Sequence, residues 1–184
     1  MKDDGTPDIT RDMPWSRYTL PNGVKVYLTS RPDRYISRDN TYTRLFGHLT
    51  GQKPTIRLYF TDDAIPGFLG EKAFWVPWFM DSDKREDDNP TLSSIATATS
   101  ILKTYDAGKS VLWLHCDSSS CRAPTYFGLY LHAYYPKEID SILLTRETNM
   151  KPDYIWSCPK EYAQIDLDRD PRVEVLLNQI KERM

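Results

Sequence analysis

The sequence has few cysteines, no long hydrophobic run and no excess of basic residues. Its 184 residues include three cysteines, an odd and small number that excludes a disulfide-stapled scaffold. The apolar stretches are shorter than the roughly 20 residues that a membrane-spanning helix needs. Lysine and arginine total 24 against 26 for aspartate and glutamate, which excludes a strongly basic nucleic-acid platform. We therefore expect a globular protein that binds neither nucleic acid nor membrane.

The amino terminus also lacks the apolar core of a signal peptide. Residues 1–10 read MKDDGTPDIT and are polar and acidic. We interpret residues 1–14 as a polar leader and residues 15–184 as one domain, since 184 residues correspond to about one domain. Without a secretion signal, and with few cysteines, a cytoplasmic location is expected. The sequence leaves the oligomeric state open.

Predicted strands and helices alternate along the chain. Strands are predicted around the Asn-Gly turn of residues 19–30, at 55–60, at 73–80 as a buried strand limited by Pro77, and at 111–115. Helices are predicted at about 90–107, 123–135, 136–148 and 171–183, while residues 31–44 are an irregular loop or a short helix. This order predicts an α/β fold with a central, mostly parallel sheet flanked by helices. Three tryptophans in apolar runs are expected in the core: Trp75, Trp78 and Trp113.

The stretch VLWLHCDSSSCRAPT, residues 111–125, carries the candidate chemistry. Cys116 ends a predicted buried strand, and Arg122 opens a predicted helix. A loop between a strand and a helix can turn its backbone N–H groups toward one anion, and the helix N-terminus adds partial positive charge. The loop residues that would surround a phosphate are Asp117, Ser118, Ser119, Ser120 and Cys121.

Two side chains would act directly on a bound phosphate. The planar guanidinium of Arg122 can bind two phosphate oxygens. The positive field of the loop favours the thiolate form of Cys116, which can attack phosphorus and form a phosphocysteine. His115 would support the loop by hydrogen-bonding backbone near it, and would not be the base.

The leaving group of such a reaction needs a proton donor. Asp81 follows the apolar run 76–80, at a strand end where parallel sheets gather their sites. Asp83, two residues further on, is the rival. We favour Asp81 because it lies nearer the fixed end of the strand.

The pattern His115-Cys116-x5-Arg122 resembles the signature of the cysteine-dependent protein tyrosine phosphatases. The Ala-Pro-Thr that follows it resembles the dual-specificity branch, and VPWFMD at 76–81 is similar to the general-acid loop of that branch. The resemblance covers residues 73–135. It implies a phosphatase-like catalytic domain, with Cys116 as nucleophile, Arg122 as phosphate ligand and Asp81 as general acid. It also implies hydrolysis of phosphotyrosine, with phosphoserine and phosphothreonine as further substrates, on a phosphorylated protein or a small phosphomonoester, without a cofactor.

Three residues depart from that family's pattern. Ser119 stands where glycine is usual, and Ala123 replaces a Ser or Thr whose hydroxyl helps the thiolate leave the phosphate. These departures keep open a non-catalytic phosphate-binding pseudophosphatase. The loop also resembles that of the rhodanese-fold phosphatases, which keeps open a rhodanese-type cysteine enzyme. Cys121 is unusual in such a loop and could form a disulfide with Cys116.

No metal site is expected. His115, Cys116 and Cys121 are too few for the four ligands of a structural zinc. Residues 166–170, DLDRD, resemble the start of a calcium loop, but Pro171 and Leu177 occupy the positions of its glycine and its bidentate glutamate.

Overall fold

The secondary structure largely follows the apolar runs of the sequence. The computed structural model describes residues 13–32, 42–61, 72–78, 88–116, 121–151, 157–161 and 165–183. The strands are β1 (Trp15–Thr19), β2 (Lys25–Thr29), β3 (Ile56–Thr61), β4 (Ala73–Pro77), β5 (Val111–His115) and β6 (Glu147–Thr148). The helices are α1 (Tyr42–Thr50), α2 (Asp88–Tyr105), α3 (Arg122–Tyr134), α4 (Ile139–Leu143) and α5 (Pro171–Glu182).

The six strands form one mixed sheet in the order β4-β3-β5-β2-β1-β6. β5 is parallel to both β2 and β3, and β3 is parallel to β4, whereas β1 is antiparallel to β2 and β6. The predicted mostly parallel sheet is therefore wrong. The reason is the turn at Gly23, where a φ of 88° lets β1 return directly as β2, and such short connections join antiparallel strands.

Helices cover both faces of the sheet, so the chain forms an α/β domain. On one face, Leu112 and Leu114 of β5 pack in a large apolar cluster with residues of α2, α3 and α5. On the other face, Trp113 packs with Phe46 of α1 and Tyr27 of β2. Because β5 is buried on both faces, its first four residues are all apolar rather than alternating with polar ones.

The strand β4 is more exposed than its apolar sequence predicts. Phe74 and Trp75 are 39% and 40% exposed, so the predicted burial of this strand and of Trp75 is wrong, whereas Trp78 and Trp113 are buried as predicted. Among the strands that the structure describes, β4 pairs with β3 alone and stands at the end of the sheet. An edge position also suits Pro77, which has no N–H to donate.

The predicted helix at 136–148 is wrong over most of its length. Only α4 is helical there, and residues 147–148 pair with β1 as β6 instead. The hydroxyl of Thr148 donates to the Trp15 carbonyl (2.7 Å), and the Asn149 carboxamide accepts from the Trp15 N–H (2.8 Å). These tertiary hydrogen bonds replace those that a longer helix would have made.

The carboxylate of Asp106 ties the end of α2 to α3 and to the β1–β2 turn. It accepts hydrogen bonds from the hydroxyls of Tyr130 and Tyr135, both at 2.7 Å, and from the Asn22 carboxamide at 2.8 Å. Burial raises the pKa of Asp106, but these hydrogen bonds, together with the nearby charge of Lys103, outweigh burial and leave the pKa below its usual range. The carboxylate is therefore ionised at neutral pH and fixes the distal half of α3.

Candidate functional site

Cys116 lies at the carboxyl edge of the sheet, directly after β5. In the parallel register, the preceding His115 lies opposite Thr29 of β2 and Tyr59 of β3, so three strand ends meet there. The thiol is 1% exposed and belongs to the same apolar cluster as Trp78 and the first turn of α3. This edge is where open α/β sheets bind their ligands.

Arg122 is the first residue of α3, as predicted, and its guanidinium is nearly buried. Its Nη1 donates to the backbone carbonyl of Trp78 at 3.1 Å, which joins the start of α3 to the residue just after β4. The predicted general acid Asp81 follows Trp78 by three residues. The structure therefore brings together Cys116, Arg122 and the start of the segment that carries the candidate acids.

Several predicted site residues lie outside the described residues. They are Asp81, Asp83, Asp117, Ser118, Ser119 and Ser120. Their assigned roles stay predictions.

Cys121 lies just before α3 and supports its first turn through the backbone. Its carbonyl accepts both the N–H and the hydroxyl of Thr125, at 3.0 and 2.6 Å. Cys116, Cys121 and Cys158 form no disulfide with one another. The disulfide between Cys116 and Cys121 stays a prediction.

His115 is buried and electrically neutral at pH 7. Burial lowers the pKa of this imidazole well below its usual value, and the positive charges of Arg57 and Arg31 lower it further. Its ring stacks on Tyr59, with 5.6 Å between centroids and 11° between planes. In the part of the chain that the structure describes, neither ring nitrogen has a hydrogen-bond partner. Such an imidazole is a poor base, and its predicted bond to the loop backbone stays a prediction because residues 117–120 are not described.

Arg57 is a functional candidate that the sequence reading missed. It is 2% exposed on β3, and its guanidinium carbon lies 5.3 Å from the Tyr59 ring centroid and 5.5 Å from that of Trp113. Arg57, Tyr59 and His115 thus form a buried stack. His115, at its end, directly precedes Cys116. The signal in the sequence was a lone charge inside the apolar run TIRLYF, which we interpreted only as a strand.

Arg31 adds a further positive charge on the same side of the sheet. It follows β2 by two residues, and its charge reaches His115 strongly enough to lower the pKa of that group. With Arg57 and Arg122, it makes the end of β5 locally positive in a chain whose net charge is −2. A positive field at a strand end favours an anionic ligand.

The same residues do not form a metal centre. Among the residues described here, no three His, Cys, Asp or Glu side chains are grouped closely enough to hold a metal ion. None of the helices in the described segments combines the length and apolar character of a membrane span.

Comparison with known proteins adds no family to this description. No protein-family model matches the chain, and no curated protein matches it.

Proposed function

We propose that the chain is a cysteine-dependent phosphatase, with a fold like that of the dual-specificity protein phosphatases. It would hydrolyse phosphomonoesters, namely phosphotyrosine and, as further substrates, phosphoserine and phosphothreonine. One observation carries the proposal: Cys116 ends the central strand β5, and Arg122 begins α3 with its guanidinium against the Trp78 carbonyl. That arrangement supports the proposal because a thiol and a guanidinium flank one short strand-to-helix loop.

In the first step, the Cys116 thiolate attacks the phosphorus of the bound ester. An S–P bond forms while the bond between phosphorus and the ester oxygen breaks. Asp81 gives its proton to the departing oxygen, so the alcohol or phenol leaves neutral. Arg122 and the loop N–H groups stabilise the negative charge on the transferring phosphoryl oxygens.

In the second step, water attacks the phosphocysteine. The Asp81 carboxylate takes a proton from the attacking water, the S–P bond breaks, and inorganic phosphate and the Cys116 thiolate are released. The cycle consumes one water molecule and needs neither an oxidant nor a metal.

The buried guanidinium of Arg122 supports both steps. It is held by the Trp78 carbonyl, so it does not have to reorganise when charge develops on the phosphate.

The test is hydrolysis of p-nitrophenyl phosphate by the purified protein. We expect release of p-nitrophenol by the wild type and its loss in Cys116→Ser. Cys158→Ser is the matched control and should keep wild-type activity, because the neighbouring Ser157 is bonded to β1, where its carbonyl accepts the Tyr18 hydroxyl at 2.9 Å. Absence of hydrolysis between pH 4 and 9, or equal activity in Cys116→Ser, would contradict the proposal.

One observation favours a second candidate, a phosphate-binding pseudophosphatase. Ala123 is fully buried in the apolar cluster beside Cys116, so the position offers no hydroxyl to help the thiolate leave the phosphate. Saturable binding of a phosphotyrosine peptide, with no phosphate release on prolonged incubation, would support this function. If the protein is instead a slow enzyme, Ala123→Ser should raise its turnover.

A further inference from the structure

A cavity of about 680 Å³ lies beside the distal half of α3. Its walls come from α3, from α4 and from the segments around residues 159–160 and 165–168. This volume falls within the range of roughly 300–1,000 Å³ typical of ligand sites. Leu131, which lines it, stands nine residues after Arg122 on α3, or roughly 14 Å along the helix axis. The cavity is therefore separate from the proposed phosphatase site.

The cavity is shaped by a close approach of the chain to α3 at Gly128. A Cβ at this position would lie 2.6 Å from Cδ1 of Leu167, so glycine leaves room for the Leu167 side chain against the helix. Leu131, Leu143 and Leu167 supply an apolar wall. A ligand with a large apolar group would remove this wall from water, and that burial is the main source of its binding energy.

The polar side of the cavity is negatively charged. Its charged side chains include Asp140, Asp166, Asp168 and Lys160. Lys160 is already paired with Asp140, with 2.6 Å between Nζ and Oδ1, so two carboxylates remain without a matching cation on the cavity wall. The carboxylate of Asp166 is held in place because it accepts the backbone N–H of Asp168 at 3.1 Å.

We propose that this cavity docks a peptide segment of a partner protein in which lysine or arginine lies next to leucine or a similar apolar residue. The apolar wall and the acidic rim lie side by side, so the two kinds of side chain must be neighbours in the ligand. Alternating basic and apolar residues of an extended peptide meet that requirement. A bare cation does not, since it would leave the leucine wall uncovered. The inference stands independently of the phosphatase activity.

The probe is a fluorescein-labelled peptide of sequence Arg-Leu-Lys-Leu-Arg, with its binding to the full chain measured by fluorescence anisotropy at 0.15 M salt. We expect saturable binding. The double variant Asp166→Asn/Asp168→Asn should raise the Kd at least about tenfold, a loss of about 1.4 kcal/mol. Both residues are exposed, so the variant is expected to fold, and an unchanged Tm verifies this.

Two controls make the result specific. Glu174→Gln/Glu182→Gln removes the same charge from exposed positions of α5, outside the cavity wall, and should change the Kd less than about twofold. Cys116→Ser should bind the peptide as the wild type does, whether or not the chain is a phosphatase. Equal weakening by the two double variants would show non-specific charge attraction and overturn the proposal, as would the absence of saturation up to about 1 mM peptide.

Discussion

The residues around Cys116 combine burial with positive charge, which distinguishes this strand end from an ordinary one. Arg57 and Arg122 are 2% and 5% exposed, although burying a guanidinium costs several kcal/mol when nothing compensates it. Aromatic rings offset part of this cost at Arg57, and the hydrogen bond to the Trp78 carbonyl offsets part of it at Arg122. Such a fixed field is useful where a bound anion gains further negative charge during a reaction.

The low pKa of His115 predicts a specific acid sensitivity. Its pKa in the folded state lies below the unfolded value of about 6.5. As pH falls below 6.5, the unfolded chain therefore binds a proton at this imidazole that the folded chain does not bind. The free energy of unfolding should therefore fall by up to about 1.4 kcal/mol per pH unit because of this group, from pH 6.5 down to the pKa of His115 in the folded state.

Urea unfolding between pH 7 and pH 5 measures this sensitivity. His115→Phe, which keeps an aromatic ring between Tyr59 and Trp113, should flatten the dependence of the unfolding free energy on pH by that amount. His48→Gln, on the exposed side of α1, is the control and should keep the wild-type slope. Identical slopes in the wild type and His115→Phe would show that the imidazole is not held neutral.

The two candidate acids, Asp81 and Asp83, differ in how far along the sequence they lie from Trp78, which is bonded to Arg122. Asp81 lies three residues from Trp78, whose carbonyl is bound to Arg122, and Asp83 lies five residues from it. We expect Asp81→Ala to lower kcat on a phosphotyrosine peptide about a hundredfold, the usual contribution of a general acid, and Asp83→Ala to lower it much less. Measured phosphate release in the opposite order would assign the proton to Asp83.

At the scale of elements, α3 is held at both ends. Its first residue is bonded to the chain after β4, and the hydroxyl of Tyr130 is bonded to the buried carboxylate of Asp106. The position of Arg122 therefore depends on contacts at the far end of the helix as well as on its own. A helix fixed in this way holds the Arg122 guanidinium in place.

Replacing Asp106 tests whether its hydrogen bonds to Tyr130 and Tyr135 stabilise the fold. Asp106→Asn would turn an amide donor toward the hydroxyl and amide donors that now converge on the carboxylate, and we expect it to lower the free energy of unfolding by about 2–3 kcal/mol. Because the pKa of Asp106 is lowered, the loss should be the same from pH 5 to pH 8. Asp140→Asn, which removes an exposed carboxylate paired with Lys160, is the control and should cost less than about 1 kcal/mol in urea unfolding. Equal losses would refute the role of Asp106.

The elements that the sequence predicts well are those whose patterns are local. The run of β5 and the apolar face of α5 each carry their own signal, and Val173, Leu176 and Ile180 are buried as the helical spacing requires. The exposure of Trp75 and the end of α4 depend instead on which strands lie next to them in the folded chain. Whether β4 is the outer strand of the sheet depends on the order of all the strands, and α4 ends because Thr148 pairs with β1. Neither fact is encoded in the local sequence.

For the candidate site too, the local features could be predicted from the sequence and the non-local contacts could not. Cys116 and Arg122 stand where a strand and a helix meet, and both boundaries could be predicted from short segments. Arg57 could not, because its proximity to His115 arises from the register of β3 on β5, which pairs residues more than fifty positions apart. The hydrogen bond from Arg122 to Trp78 is equally non-local.

The whole molecule separates its charges along α3. Arg31 and Arg57 place positive charge near His115, and Arg122 begins α3, while carboxylates exceed cations at the cavity beside the other half of the helix. A net charge of −2 thus conceals two regions of opposite sign. The hairpin at Gly23 makes the sheet mixed without disturbing the parallel strands β2, β5 and β3, whose ends form the candidate site.

The central claim is that Cys116 carries the phosphoryl group during turnover. Mixing the protein with excess p-nitrophenyl phosphate, quenching in acid within one turnover and mapping the peptides by mass spectrometry tests it directly. The account predicts one phosphoryl group on the peptide that contains Cys116, and none in Cys116→Ser. Turnover without a phosphorylated cysteine, or a phosphoryl group on any other residue, would contradict it.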